Sequence, residues 1–195
     1  MRMIRRSTIL AVLTIWSAAA VGQSHRAIES AYTTFDSDKC RHTRGRDVED
    51  YGSWLCRGYG DIPVRLAAGD QRMYVSFGRN AAREPAAGET IAGFNDVYKG
   101  TIEWRLERSR DGKLKPFATI LRWNFMTSPD DRRTSGRRLV VTKLGPGGVC
   151  HVGYVDARAN PDANELARKL ADEKARAFRC GIDKPELAGN GPPDQ

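Results

Sequence analysis

The chain has 195 residues, a net charge of +8, four cysteines and only three histidines. Its length suits one domain with a substantial core, and no internal repeat of about 20–50 residues is present. The positive charge is moderate, so it is compatible with an anionic partner but is also explained by solubility alone. We expect no nucleic-acid partner.

The first 22 residues have the pattern of a secretory signal peptide. Arginines within the first six residues precede an apolar run over residues 9–21, which is too short for a stable membrane span and ends in small residues. This pattern predicts cleavage after Ala20 or Gly22 and a mature protein that is periplasmic or secreted. Removal of the three arginines lowers the net charge from +8 to +5. No later apolar run is long enough to cross a bilayer.

The four cysteines are expected to pair, because an exported chain meets an oxidising compartment. The preferred connectivity is Cys40–Cys56 with Cys150–Cys180, which closes one local loop and ties the last strand to the end of a helix. Each bond would contribute about 3–4 kcal/mol. Cys40–Cys180 with Cys56–Cys150 is the alternative, since the helix could overshoot Cys150. A structural zinc site lacks its usual C-x-x-C spacing.

Short runs that alternate apolar and polar residues predict strands along most of the chain. The Asp111-Gly112 pair marks a tight hairpin turn. Residues 79–100 have no sustained period and are the longest irregular segment, which makes them the best place for a functional loop. The predicted strands cover residues 31–35, 54–56, 62–66, 72–77, 102–107, 117–125, 139–142 and 149–155.

The last strand and a helix complete the pattern. Alternation places Cys150, Val152 and Tyr154 on one face of the strand. The helix is expected to use Asn160 as its cap, to begin at Pro161 and to run to residue 180. The sequence therefore predicts an α+β fold: a curved antiparallel sheet of about seven or eight strands covered by one long C-terminal helix. The domain spans residues 28–181, and residues 182–195 form a flexible tail.

Candidate catalytic groups are few. His151 and Asp156 are five residues apart, so they lie on opposite faces of an extended strand. Lys174 falls within the apolar arc of the helix, where we expect its stem to cover the core while its ammonium group reaches water. No nucleophile-elbow, calcium-loop or phosphate-loop motif is complete. The sequence therefore predicts no catalytic residue, no metal site and no cofactor.

The outward positions of the strands carry the candidate ligand-binding residues. Arginines among aromatic residues bind carboxylate or phosphate groups with two parallel hydrogen bonds. The alternative is ordinary cross-strand pairing with glutamates such as Glu103 on a solvated face. The five candidates are Arg65, Arg72, Tyr74, Arg105 and Arg122.

Three stretches carry a resemblance to a known group of proteins. They read KLGPGGVCHVGYVDARANPDANELAR, CRGYGDIPV and PFATILRW. In these stretches, and most strongly over residues 116–180, the chain resembles a group of uncharacterised exported proteins from proteobacteria. The resemblance implies export and a shared fold, and no catalytic residues carry over from it.

Together these features predict a non-enzymatic binding or interaction domain of the bacterial envelope. Its partner would be an anionic component, such as peptidoglycan or lipid headgroups, or another envelope protein. The alternative is an envelope hydrolase, or an inhibitor of one, that acts through residues 79–100.

Overall fold

The computed structural model describes residues 27–44, 51–109, 111–126 and 135–192, without the side chain of Arg44. The predicted signal peptide, residues 1–22, lies outside the described residues. The strands are β1 (Ile28–Asp36), β2 (Arg41–Arg44), β3 (Gly52–Arg57), β4 (Pro63–Gly69), β5 (Arg72–Phe77), β6 (Phe94–Asp96), β7 (Lys99–Arg108), β8 (Leu114–Met126), β9 (Ser135–Lys143), β10 (Cys150–Asp156) and β11 (Glu186–Leu187). The helix α1 spans Ala163–Lys174, and three single-turn 3-10 helices span Ser37–Lys39, Ala81–Arg83 and Pro85–Ala87.

The strands form two sheets. A seven-stranded sheet has the order β1-β7-β8-β9-β10-β11, with β6 paired to β8, and a four-stranded sheet has the order β2-β3-β4-β5. The α+β class is confirmed, but the prediction of a single antiparallel sheet is wrong. The chain divides its strands between two layers, and β11 runs parallel to β10.

Each face of the seven-stranded sheet is covered by a different layer. One face packs against the four-stranded sheet, through large side chains such as Trp104 and Trp123 of the first and Leu66 and Phe77 of the second. The other face packs against α1, where Val141 and Val155 meet Leu170 among others. The molecule thus has three layers: four-stranded sheet, seven-stranded sheet and helix.

The helix is shorter than predicted. It has 12 residues, its N-cap is Asp162, and it ends at Lys174, six residues before Cys180. Asn160 does not cap it: the Asn160 amide donates to the carbonyls of Asp156 and Asn190 and accepts from the Asn190 backbone N–H. The Nζ atom of Lys143 reaches the other end of the helix and donates to the carbonyls of residues 175 and 176, two acceptors that a helix end leaves free.

A change of register between His151 and Gly153 alters the pattern of β10. An extra residue at such a bulge moves the following side chains to the opposite face. Val152 therefore packs on the helix side, whereas Tyr154 packs between the two sheets. The predicted common face of Cys150, Val152 and Tyr154 is wrong for this reason.

Part of the predicted flexible tail contacts the sheet. Glu186 and Leu187 pair with Gly153 and Tyr154, and the Ala188 N–H donates to the Tyr154 carbonyl over 2.9 Å. The tail has no apolar period because its contacts are made mainly by the backbone.

Two disulfides join the cysteines in the preferred connectivity. Cys40–Cys56 has a Cα–Cα distance of 4.7 Å and links the segment before β2 to β3. Cys150–Cys180 has a Cα–Cα distance of 5.7 Å and links β10 to the turns after α1. The five residues between the end of α1 and Cys180 bring the chain back to β10, so the expected overshoot does not occur.

Candidate functional site

The five predicted ligand-binding residues lie in two separate places. Arg65 on β4 and Arg72 and Tyr74 on β5 belong to the face of the four-stranded sheet that points away from the core, which we call the outer face. Arg105 on β7 and Arg122 on β8 belong to the face of the seven-stranded sheet that α1 covers. The five residues therefore do not form one surface.

Arg105 is engaged by neighbouring acids. Its guanidinium group donates to both carboxylate oxygens of Asp172 on α1, over 2.9 and 2.6 Å, and it also contacts Glu103 and the Ser30 hydroxyl. Burial disfavours the charge of Arg105, but the hydrogen bonds to Asp172 and the charges of Asp172 and Glu103 raise its pKa overall. Arg105 holds the helix on the sheet.

Glu103 extends this network to a second helical arginine. Its carboxylate accepts from Nε of Arg168 over 2.7 Å and from the Ser30 hydroxyl over 2.6 Å. Burial raises the pKa of Glu103, but the hydrogen bonds of Arg168 and Ser30 and the charges of Arg168 and Arg105 outweigh it, so the pKa is lowered. Arg105 and Glu103 are two residues apart on β7, so their ion pair runs along one strand beneath the helix, and not across strands on a solvated face as the alternative for Arg105 supposed.

Arg122 lies at the rim of a groove of about 870 Å³ between the ends of β6, β8 and β9. Its guanidinium group donates to the Asn164 side chain over 3.0 Å. Burial and the charge of Arg137 lower the pKa of Arg122. Arg158 of the same groove donates to the Ser135 carbonyl over 2.7 Å. Two of the arginines in this groove are therefore already occupied by protein acceptors.

The outer face has a regular arrangement of rows across its strands. Arg41, Leu55 and Arg65 are partners in register on β2, β3 and β4, and the next row runs from Thr43 through Ser53 and Ala67 to Tyr74. Arg57 pairs with Pro63 beyond the first row, and Arg72 pairs with Gly69 beyond the second. Arginines thus flank a row of short side chains, Thr43, Ser53 and Ala67, that ends at Tyr74.

The four strands of this sheet contain no aspartate or glutamate. Among the described residues, none of the guanidinium groups of Arg41, Arg57, Arg65 and Arg72 forms an ion pair. Unpaired like charges on one face repel one another and attract anions. Sequence reasoning found Arg65 and Arg72 from alternation but missed Arg41, because residues 41–50 read as an exposed loop, and it missed Arg57. The absence of acids from four successive strands was the available signal.

A basic groove of about 780 Å³ continues the outer face towards β1 and β7. Lys39, Arg41, Arg57 and Lys99 line it together with the carboxylate of Asp36. That carboxylate accepts from the Asp38 N–H at the start of a 3-10 helix. The groove therefore adds two lysines to the arginines of the face and presents one carboxylate against four cations.

Residues 79–100, the predicted functional loop, pack against the core. Ala86 and Ile91 of this segment are fully buried. Its two glutamates accept backbone N–H groups of the opposite strand region: Glu84 from Val149 over 2.9 Å and Glu89 from His151 over 2.6 Å. Burial raises the pKa of Glu89, and the hydrogen bond from the His151 N–H offsets part of this rise. These contacts give the segment a clear packing role.

The remaining candidate residues occupy unremarkable surroundings. His151 is fully buried, its Nδ1 lies 3.1 Å from the Tyr154 hydroxyl, and burial lowers its pKa to about 3. It therefore stays neutral at ordinary pH. The Asp156 carboxylate accepts from the Arg158 N–H in the turn that follows β10. Lys174 is exposed and lies 3.8 Å from Glu186, as an ion pair at the surface.

Within the described ranges, no group of three or more histidine, cysteine, aspartate or glutamate side chains is placed to hold a metal ion. The only helix of that part of the chain is also too short to cross a bilayer. Comparison with protein-family models, curated proteins and solved structures finds no match for this chain.

Proposed function

We propose that the protein is an exported, non-enzymatic binding domain of the bacterial envelope that holds an anionic polymer on the outer face of its four-stranded sheet. One observation carries the proposal: four arginines that form no ion pair with any described residue lie on a sheet whose strands contain no acid. The two disulfides are consistent with an oxidising compartment outside the cytoplasm. The periplasm or the exterior is the proposed location.

The shape of the outer face favours an extended ligand over a small molecule. Its centre consists of Thr43, Ser53 and Ala67, whose short side chains leave a shallow trough instead of a deep pocket. Arg65 and Arg72 stand about 13 Å apart along the sheet, since they are four residues apart in register at about 3.3 Å per residue. A polymer with repeated carboxylate or phosphate groups could contact both through bidentate hydrogen bonds.

The test is retention of the purified protein by isolated peptidoglycan sacculi. We expect the wild-type protein to sediment with sacculi at low salt and to be released as the salt concentration rises, because exposed charges are screened. The double variant R41E/R65E should lose most of this retention. Release of soluble muropeptides by the wild-type protein would contradict the non-enzymatic proposal.

A matched control separates the contribution of the outer face from the effect of net charge. The variant K113E/K184E makes the same change in charge at two exposed lysines outside the four-stranded sheet. It should keep wild-type retention. If both double variants lose binding equally, or if neither does, the outer face is not the binding surface.

A further inference from the structure

We infer that the anionic polymer is a glycan and that one of its sugar rings occupies an aromatic hollow at the edge of the four-stranded sheet, beside Arg72 of the outer face. This inference rests on the proposed function and names the class of its ligand. The hollow has a volume of about 450 Å³, within the range of roughly 300–1,000 Å³ typical of small-ligand sites. Its aromatic residues are His42, Tyr51, Trp54 and Tyr98.

The rings form a contiguous group. The His42 and Trp54 rings are stacked with their centroids 5.2 Å apart, and the Tyr98 ring meets Trp54 edge-on at 5.8 Å. Tyr51 and Tyr98 remain 56% and 43% exposed. Large exposed aromatic side chains that cluster around a concave surface mark interaction sites.

Two glycines allow the rings to lie close to the sheet. A Cβ atom on Gly52 would approach the Trp54 ring to 2.6 Å, and one on Gly69 would approach the Tyr51 ring to 2.6 Å. Any side chain at these positions would lift the aromatic rings from the backbone. The missing side chains let the Trp54 and Tyr51 rings lie against the backbone of Gly52 and Gly69.

The hollow adjoins the basic outer face at the β4–β5 turn, although His42 and Trp54 belong to the core-facing side of the sheet, in register with Leu66. Arg72 lines the hollow and is also the cross-strand partner of Gly69, on which Tyr51 lies. Gln71 is exposed beside it and lines the same hollow. Asn95 also lines the hollow, but its amide is already bonded to the Met73 N–H and the Ile91 carbonyl. Hydrogen bonds to sugar hydroxyls would therefore come from Gln71 and Arg72.

This combination distinguishes a glycan from other anionic polymers. Polyphosphate has no apolar face, so it cannot stack on aromatic rings. A charged polysaccharide offers both chemistries, with carboxylates for the arginines and a C–H face for the rings. The hollow and the adjoining Arg72 therefore suit a single chain that carries sugar rings and negative charges.

The experiment compares two probes, sodium polygalacturonate and sodium polyphosphate, at matched charge concentration and ionic strength. Dissociation constants are measured by calorimetry for the wild-type protein and for Y51A/Y98A, two exposed side chains whose removal spares the core. We expect the double variant to bind polygalacturonate about tenfold more weakly, as loss of aromatic contacts worth about 1.4 kcal/mol implies. Its affinity for polyphosphate should change by less than about twofold, a shift well below that contribution.

Tryptophan fluorescence gives a second readout. Trp104 and Trp123 are fully buried, whereas Trp54 is partly exposed in the hollow. Polygalacturonate should change the emission of the wild-type protein, and W54F should abolish most of that change. The control Y32A removes a tyrosine that is also 56% exposed but lies on β1, outside the four-stranded sheet, and it should bind both probes normally.

The outcomes separate the two proposals. Binding of neither probe would overturn both the anionic-polymer function and the glycan inference. Binding of both probes with equal loss, or no loss, in Y51A/Y98A would overturn the glycan inference alone. An unchanged Trp54 emission on polygalacturonate binding would overturn it as well.

Discussion

The two sheets both carry arginines, yet these arginines have opposite surroundings. Arg105 on the seven-stranded sheet lies beneath α1, with its side chain only 9% exposed and two carboxylates within ion-pair distance. Arg72 on the four-stranded sheet is exposed and Arg65 is half-buried, and neither has an ionic partner among the described residues. Both groups occupy alternating strand positions opposite core residues. The difference is the layer that covers them.

The comparison teaches that alternation reports the face of a side chain and not its neighbours. A buried arginine must be paired, because an uncompensated charge in the interior is strongly unfavourable. The helix supplies Asp172 for this purpose, and the sheet supplies Glu103. An exposed arginine has no such requirement, so the bare arginines of the outer face are available to an external anion.

The largest expected effect concerns the covered face. R105A should lower the free energy of unfolding by about 3 kcal/mol, because it leaves the Asp172 carboxylate and part of Glu103 without a partner. Urea denaturation measures this. R108A on the same strand is the control: Arg108 and Glu29 are both exposed, so its effect should stay below about 1 kcal/mol. Equal losses of unfolding free energy in the two variants would show that the buried network under the helix contributes no more to stability than an exposed ion pair.

An intermediate effect on stability is expected from His151, which is buried between the two sheets. His151 stays neutral in the folded protein down to about pH 3, whereas in the unfolded chain it gains a proton below about pH 6.5. The unfolded state therefore binds more protons in this window, and stability falls as the pH decreases. The loss at pH 5 relative to pH 7 should be about 2 kcal/mol.

The variant H151N isolates this contribution. Its stability should fall less than that of the wild-type protein between pH 6.5 and pH 4.5, as measured by urea denaturation at each pH. Glu89, whose pKa is raised, acts in the opposite direction above pH 4.5, but it accepts the backbone N–H of residue 151 and remains in both proteins. If H151N loses as much stability at low pH as the wild-type protein, groups other than His151 cause the acid sensitivity.

The smallest effect on stability belongs to the outer face. R65A/R72A should change the free energy of unfolding by less than about 0.5 kcal/mol, because neither side chain forms an ion pair with a described residue and neither belongs to the core. The same variant should bind sacculi more weakly than the wild-type protein at equal ionic strength. Thermal denaturation and co-sedimentation measure the two quantities. A clear loss of stability would mean that these arginines support the fold, and the contrast between the sheets would then disappear.

Local sequence patterns were sufficient for several elements. The alternation of Ile102, Trp104 and Leu106 and the Asp111-Gly112 turn correctly predicted the β7–β8 hairpin, because a strand and a tight turn depend on neighbouring residues. The preferred cysteine connectivity followed from closing short loops and matches the two disulfides. The exposed ammonium group of Lys174 also agrees with the sequence.

The division into two sheets could not be read from the same patterns. The alternation of β2–β5 resembles that of β7–β10, and only long-range packing between Leu66 or Phe77 and Trp104 separates the strands into layers. The bulge after His151 likewise depends on how β9 and β10 align, which reverses the face of Tyr154.

Most of the strands, the β7–β8 turn and the alternating positions of the candidate arginines follow from residues close along the chain. The cysteine pattern favoured the observed pairing but left one alternative that only the fold excludes. Which arginines meet a helix and which meet solvent depends on long-range packing. The short helix returns over β7, β8, β9 and β10 and brings Asp172 to Arg105 across 67 residues of sequence. The helix does not lie over the outer face of β2–β5, where Arg72 is exposed and Arg65 is half-buried.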